Sequence, residues 1–229
     1  MNLRMKWYNN KAGFYLFALL TTVLMACGEK RNTEKESRVA VLPYYDEPSF
    51  TPLWLSKQSD SITGIHRIPN FTLINQMGDT LTEKTFENKI YITDFFFTSC
   101  PGICPKMTQN MTLLQDAFLN DADILLLSHS VTPELDSVPI LRHYADAKGV
   151  VDNKWHLVTG KRKDIYNLGR FAYFIEEDLG FQKTEDEFLH TENFVLIDKN
   201  RHIRGIYNGL NKTAINQLIA DVKTLQKER

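Results

Sequence analysis

The run Ile90-Tyr91-Ile92-Thr93-Asp94-Phe95-Phe96-Phe97 constrains this chain more than any other stretch. It is β-branched and aromatic, and it is almost continuously apolar rather than alternating, so it predicts a central strand that needs cover on both faces. Helices above and below a sheet supply that cover, which makes the chain an α/β protein. The run leads directly into Cys100-Pro101-Gly102-Ile103-Cys104-Pro105. Beyond it, Met107, Met111, Leu114 and Phe118 recur at helical spacing and predict a helix packed on that strand. Pro105 suits the first turn of such a helix, where its missing N–H has no partner to lose.

The alternation continues without repeats. Ile124–Leu127 reads as a second buried strand, Leu135–Ala147 as a helix, Trp155–Val158 as a short strand, and the stretch from Asp164 through Phe171 as another helix. Phe194–Ile197 and His202–Tyr207 flank the polar turn Asp198–Arg201, a hairpin signature. Ile215, Leu218, Ile219, Val222 and Leu225 share one face of a final helix that Asn211 can cap. The expected fold is a thioredoxin-like three-layer sandwich over residues 64–229, with a central mixed sheet and a C-terminal hairpin plus helix.

What precedes it has a different character. Residues 1–26 carry Arg4, Lys6 and Lys11, no acidic residue, and an apolar run from Phe14 to Ala26, the layout of a secretory signal. The run is short for a membrane span, which takes about 20 apolar residues. It ends Leu24-Met25-Ala26-Cys27-Gly28, which resembles the lipobox of bacterial lipoproteins and implies acylation of Cys27. The plainer alternatives make Cys27 a small residue near an ordinary cleavage site or in an uncleaved anchor. In each case the body is exported, and the lipid reading anchors it to a membrane, facing the periplasm or cell exterior. Residues 27–63 begin with a polar tether and continue as an extended segment punctuated by Pro43, Pro48 and Pro52. Val39–Leu42 and Phe50–Leu55 are apolar enough to dock part of it on the domain edge.

The chemistry rests on the cysteines. Three are too few for a disulfide-stapled scaffold. With 27 basic and 28 acidic side chains the chain also lacks the basic face a nucleic-acid partner demands. Cys100 and Cys104 fall at a helix N-terminus, where unpaired N–H groups and the helix dipole favour thiolates. Close thiolates offer a reversible disulfide or capture of a soft metal ion. A merely structural bridge across so small a loop would constrain little. The C-x3-C spacing leaves room for an ion that the usual C-x2-C does not. Two sulfurs are too few for structural zinc, whereas copper(I) accepts two thiolates plus one imidazole. Among six histidines His190 is the best-placed candidate, just before the Phe194–Ile197 strand on the connection that borders the helix-end site. Thioredoxin-class dithiol enzymes keep a cis-proline there to clamp substrate, and no proline follows Pro139.

The segments Phe96–Pro105, Ser130–Asp136, Trp155–Gly160, and His190 with Val195–Asp198 resemble the Sco (SenC) family, in order and over essentially the whole domain. The resemblance implies a membrane-tethered copper chaperone of thioredoxin fold. It implies Cys100, Cys104 and His190 as ligands of one copper ion, and delivery to the apo copper subunit of cytochrome oxidase or another copper protein. Gly102 and Thr132 stand where the family commonly has acidic residues, which puts in doubt any docking or charge-handling role of those carboxylates. Asp94 keeps a second reading open. It sits six residues before Cys100, the offset at which thioredoxins hold a buried carboxylate that handles the cysteine proton. A periplasmic thiol–disulfide oxidoreductase using Cys100 and Cys104 is therefore the alternative; the plainer account of Asp94 is a strand-end carboxylate turned to solvent or one hydrogen-bonded in the core. A peroxidase would need a single attacking thiol supported by a Thr such as Thr98, and the second cysteine fits that poorly. His129 and Met107 read as packing residues. The acidic clusters Glu176-Glu177-Asp178 and Glu185-Asp186-Glu187 read as a solvated loop before His190.

Overall fold

In a computed structural model that describes residues 36–56, 59–176 and 188–228, the elements follow in the order β1 (Thr72–Asn75), β2 (Thr80–Thr82), β3 (Ile90–Phe96), α1 (Cys104–Ala117), β4 (Ile124–Ser130), α2 (Val138–Lys148), β5 (Trp155–Thr159), α3 (Arg162–Asn167), β6 (Asn193–Ile197), β7 (Ile203–Asn208) and α4 (Lys212–Lys227). The secretory stretch, Cys27 and most of the acidic loop lie outside the described residues.

One seven-stranded mixed sheet, ordered β2-β1-β5-β4-β3-β6-β7, carries the fold. β3, β4 and β5 are parallel, and β6 runs antiparallel to β3. Every residue of β3 and β4 is buried, as expected of strands covered on both faces. Side chains alternate between two cores. Ile90, Ile92 and Phe96 pack with Met107, Met111 and Leu114 of α1 and with Leu218 and Val222 of α4. Tyr91 and Phe95 face the other way, against Ile165 of α3, Tyr173 and Leu189. Burying each such side chain contributes roughly 1.5–3 kcal/mol, so β3 is held by both layers at once.

Two local outcomes differ from the sequence expectation. The helix expected to run through Phe171 is α-helical only to Asn167 and then widens into a π turn at Leu168–Ala172, with the Tyr173 N–H bonding the Leu168 carbonyl at 2.8 Å. Gly169 permits this, because a Cβ there would meet Leu189 at 2.7 Å and Phe95 at 3.1 Å. The β1–β2 hairpin was not expected. It is short, it leaves Ile74 exposed beside polar positions, and Leu73 and Leu81 supply most of its apolar burial.

The segment read as extended and partly docked closes an edge of the sheet. Tyr44 bridges Leu53, and the Tyr45 N–H bonds the Ile203 carbonyl of edge strand β7 at 3.1 Å. Arg204, also on β7, clamps it. Its buried guanidinium donates to the carbonyls of Leu42 (2.6 Å) and Pro43 (3.0 Å), to Glu228 (2.8 Å) and to Asp198 (3.2 Å), and lies 4.0 Å from the Tyr44 ring centroid. At the other end of the chain Asn211 caps α4 as expected, accepting from the Thr213 N–H at 2.8 Å.

Candidate metal centre

The two cysteines stand at the junction of β3 and α1. Cys104 is the first residue of α1 and is buried, Pro105 follows in the first turn, and Cys100 is partly exposed in the preceding turn. Both are free thiols, and a hydrogen bond joins them. Their environments differ. Partial burial pushes the Cys100 thiol up, but the Cys104 thiol and the backbone amides of Cys104, Gly102 and Ile103 outweigh it and leave Cys100 below its ordinary value. Those amides are the unpaired donors of a helix start, acting on a sulfur. Burial pushes the Cys104 thiol up to about 12, reinforced by its hydrogen bond to Cys100 and by the nearby charges of Cys100 and Asp94, although the Phe97 amide donates to it.

Asp94 lies beneath this pair, on the same face of β3 as Ile92 and Phe96. It is fully buried; it accepts a short hydrogen bond from the Ser128 hydroxyl, which in turn accepts the Trp155 indole N–H at 2.8 Å. Burial raises its carboxyl to about 7, with the Ser128 bond pulling the other way. The carboxyl is therefore not solvent-facing; it is hydrogen-bonded in the core beneath the thiols.

Of the remaining sequence candidates, His129 points into the opposite core. It stacks on Phe95 at 4.6 Å, contacts the Thr93 hydroxyl at 3.1 Å, and is held neutral by burial, which lowers it to about 3. Met107 is fully buried in the α1 core. His66 and His202 bond to backbone carbonyls, at 2.8 Å and 3.0 Å. Gly102 is exposed, and a Cβ there would meet nothing within 4 Å. The Thr98 hydroxyl bonds Asp136 rather than a cysteine.

His190 is exposed on the segment that leads into β6. Along 188–191 exposure alternates: Phe188 and His190 are exposed, while Leu189 and Thr191 are buried. Thr191 anchors the segment through its hydroxyl to the Ile175 carbonyl at 2.8 Å. Phe188, two residues before His190, packs edge-on against Phe97 of the cysteine turn at 5.4 Å. The segment thus borders the thiols. Among the described residues, however, no three His, Cys, Asp or Glu side chains stand together as a metal-holding group, so the structure joins Cys100 with Cys104 and leaves His190 outside the pair. The residue that sequence reading passed over is Asp136. It closes the Ser130–Asp136 segment that carried part of the resemblance, but no role was given to it, because its partners are spread from Thr98 to Thr132.

No helix among the described residues is long and apolar enough to cross a membrane. The structure resembles a SCO1/SenC family lipoprotein from Bacillus anthracis, with a TM-score of 0.59, 28% identity, and 70% of this chain and 95% of that one covered. It also resembles BsSco, a member of the Sco family of cytochrome c oxidase assembly proteins for which a disulfide switch has been identified, at a TM-score of 0.60 and 27% identity over 72% of this chain and 95% of that one. Arabidopsis thaliana ScoI with copper bound superposes at a TM-score of 0.53 and 26% identity, over 69% and 98% of the two chains. The SCO1/SenC family model matches residues 59–227, from the end of the extended segment through the whole dithiol turn to the end of α4, and the chain belongs to that family.

Proposed function

We propose that this protein is a copper metallochaperone that takes one copper ion on Cys100, Cys104 and His190 and passes it to the copper site of cytochrome oxidase. The observation that carries the reading is the pair of free thiols at the N-terminus of α1, one accessible and favoured as thiolate, the other covered. Two thiolates around copper(I) leave a net negative centre, and the helix-start amides and dipole stabilise that charge. Thiolate and imidazole are the donors copper(I) prefers. Partial exposure of Cys100 gives an acceptor's ligand a sulfur-bound ion to attack, so transfer proceeds by ligand exchange. Arabidopsis ScoI, a relative, binds copper, and BsSco belongs to a family that assembles the oxidase. Export and acylation of Cys27 complete the reading, holding the domain on a membrane beside its acceptor; the likeness to a family lipoprotein supports this.

The test is a copper(I) competition titration against a chromophoric chelator. One equivalent bound tightly, with at least tenfold weaker binding (about 1.4 kcal/mol) in His190→Ala and in Cys100→Ser, is expected. Wild-type affinity in His190→Ala overturns the ligand assignment. A second reading, thiol–disulfide exchange, is favoured by Asp94 beneath the covered Cys104 and by the unequal thiols. Brisk reduction of a disulfide substrate that is lost in Cys100→Ser supports it.

A further inference from the structure

Asp136 is fully buried in the connection between β4 and α2. Its carboxylate accepts four hydrogen bonds from neutral donors. Oδ1 takes the Thr98 hydroxyl at 2.5 Å; Oδ2 takes the Ser130 hydroxyl at 2.5 Å, the Thr132 hydroxyl at 3.0 Å and the Thr98 backbone N–H at 3.2 Å. Burying a carboxylate is costly unless its lone pairs are satisfied, and an apolar residue fills space more cheaply. The arrangement gains something other than packing.

What it grips is informative. Thr98 sits inside the tight turn Phe97–Cys100, closed by the Cys100 N–H to the Phe97 carbonyl at 3.3 Å. Phe97, the residue before Thr98, and Cys100, on which the turn ends, both pack against the core cluster that contains Cys104. Asp136 holds Thr98 by both main chain and side chain, so the turn can neither rotate nor slide without breaking a bond to this buried side chain. The other two bonds tie the same carboxylate to Ser130 at the end of β4 and to Thr132 beyond it.

We propose that Asp136 is the positioning residue of the dithiol site: it holds the Phe97–Cys100 turn against the end of β4 so that Cys100 stays accessible while Cys104 stays covered. This rests on reading the two cysteines as the working pair. Asp136 bonds neither sulfur in this role; it acts through Thr98 and is tied to the end of β4 by Ser130, while Thr132 only satisfies a further lone pair of the carboxylate.

Two threonine variants separate positioning from plain structural support. Thr98→Val and Thr132→Ala each remove one hydroxyl bond to Asp136, but only the first loosens the cysteine turn. The readouts are the iodoacetamide labelling rate at Cys104 in the reduced full chain, mapped by mass spectrometry, and copper(I) competition, with urea stability measured alongside; Asp136→Ala is the third variant. Thr98→Val and Asp136→Ala are expected to label Cys104 about tenfold faster and bind copper(I) about tenfold more weakly, with Thr132→Ala within about twofold of wild type. Equal behaviour of the two threonine variants at matched stability overturns the proposal, and they decide it alone if Asp136→Ala does not fold. If wild type takes up no copper(I), the chaperone reading fails, and the labelling comparison still judges Asp136.

Discussion

Replacing Asp94 by Asn should stabilise the chain at alkaline pH and leave it unchanged in acid. The carboxyl is fully buried, and its value in the folded protein is about 7 against an ordinary 3.8. Below pH 3.8 it is protonated folded and unfolded alike and has no effect. Between those values the unfolded chain ionises while the folded one holds its proton, so stability falls by about 1.4 kcal/mol per pH unit as pH rises. Above pH 7 the loss is complete, and a span of roughly three pH units makes it about 4 kcal/mol, an upper figure because the interior relaxes around a charge. Asn keeps an oxygen for the Ser128 hydroxyl and never ionises. Urea unfolding of reduced wild type and Asp94→Asn at pH 4, 6 and 8 should give a gap that opens with pH and reaches about 2–4 kcal/mol at pH 8. A constant gap, or a less stable variant at pH 8, refutes the reasoning, since it means the buried carboxylate is as well solvated as a free one.

His129 supplies the opposite slope: its folded value of about 3 against an ordinary 6.5 means stability is lost as pH falls below 6.5, and His129→Phe should flatten that acid limb in the same urea series. Arg204→Ala removes the guanidinium that bridges buried Asp198 and Glu228 and should cost about 3–5 kcal/mol by urea unfolding. Gly169→Ala drives a Cβ into Leu189 and Phe95, so it should cost about 1–3 kcal/mol and weaken copper(I) binding as well, because Leu189 adjoins His190.

The elements readable from sequence were those whose burial is nearly complete. β3 and β4 announce themselves because covering both faces leaves almost no position for a polar residue, and α1 and α4 because one stripe must meet the sheet. β1 and β2 left a fainter pattern, since a short hairpin at the sheet's margin buries little. The π turn depends on a contact between Gly169 and Leu189 across twenty residues, which no local period encodes. At the site, the thiols, their helix-end placement and Asp94 were legible because strand, loop and helix are contiguous there. Arg204 was not: a lone cation in a strand ordinarily faces water, and here Glu228 and two main-chain carbonyls from the far end of the chain draw it inward. Asp136 escaped for the same reason, its donors being gathered from the cysteine turn, the end of β4 and the loop beyond it.

The clamp at Arg204 also decides how force and approach are distributed over the domain. Tyr44, Arg204 and Glu228 line one cleft with Ile90, the first residue of β3, whereas the thiols follow its last residue, roughly 20 Å along the strand. A pull on the leading segment is taken up at the stern, through Leu42 and β7, and leaves the bow undisturbed. The edge clamp and the dithiol turn thus sit at opposite ends of β3, so either can be loosened without the other.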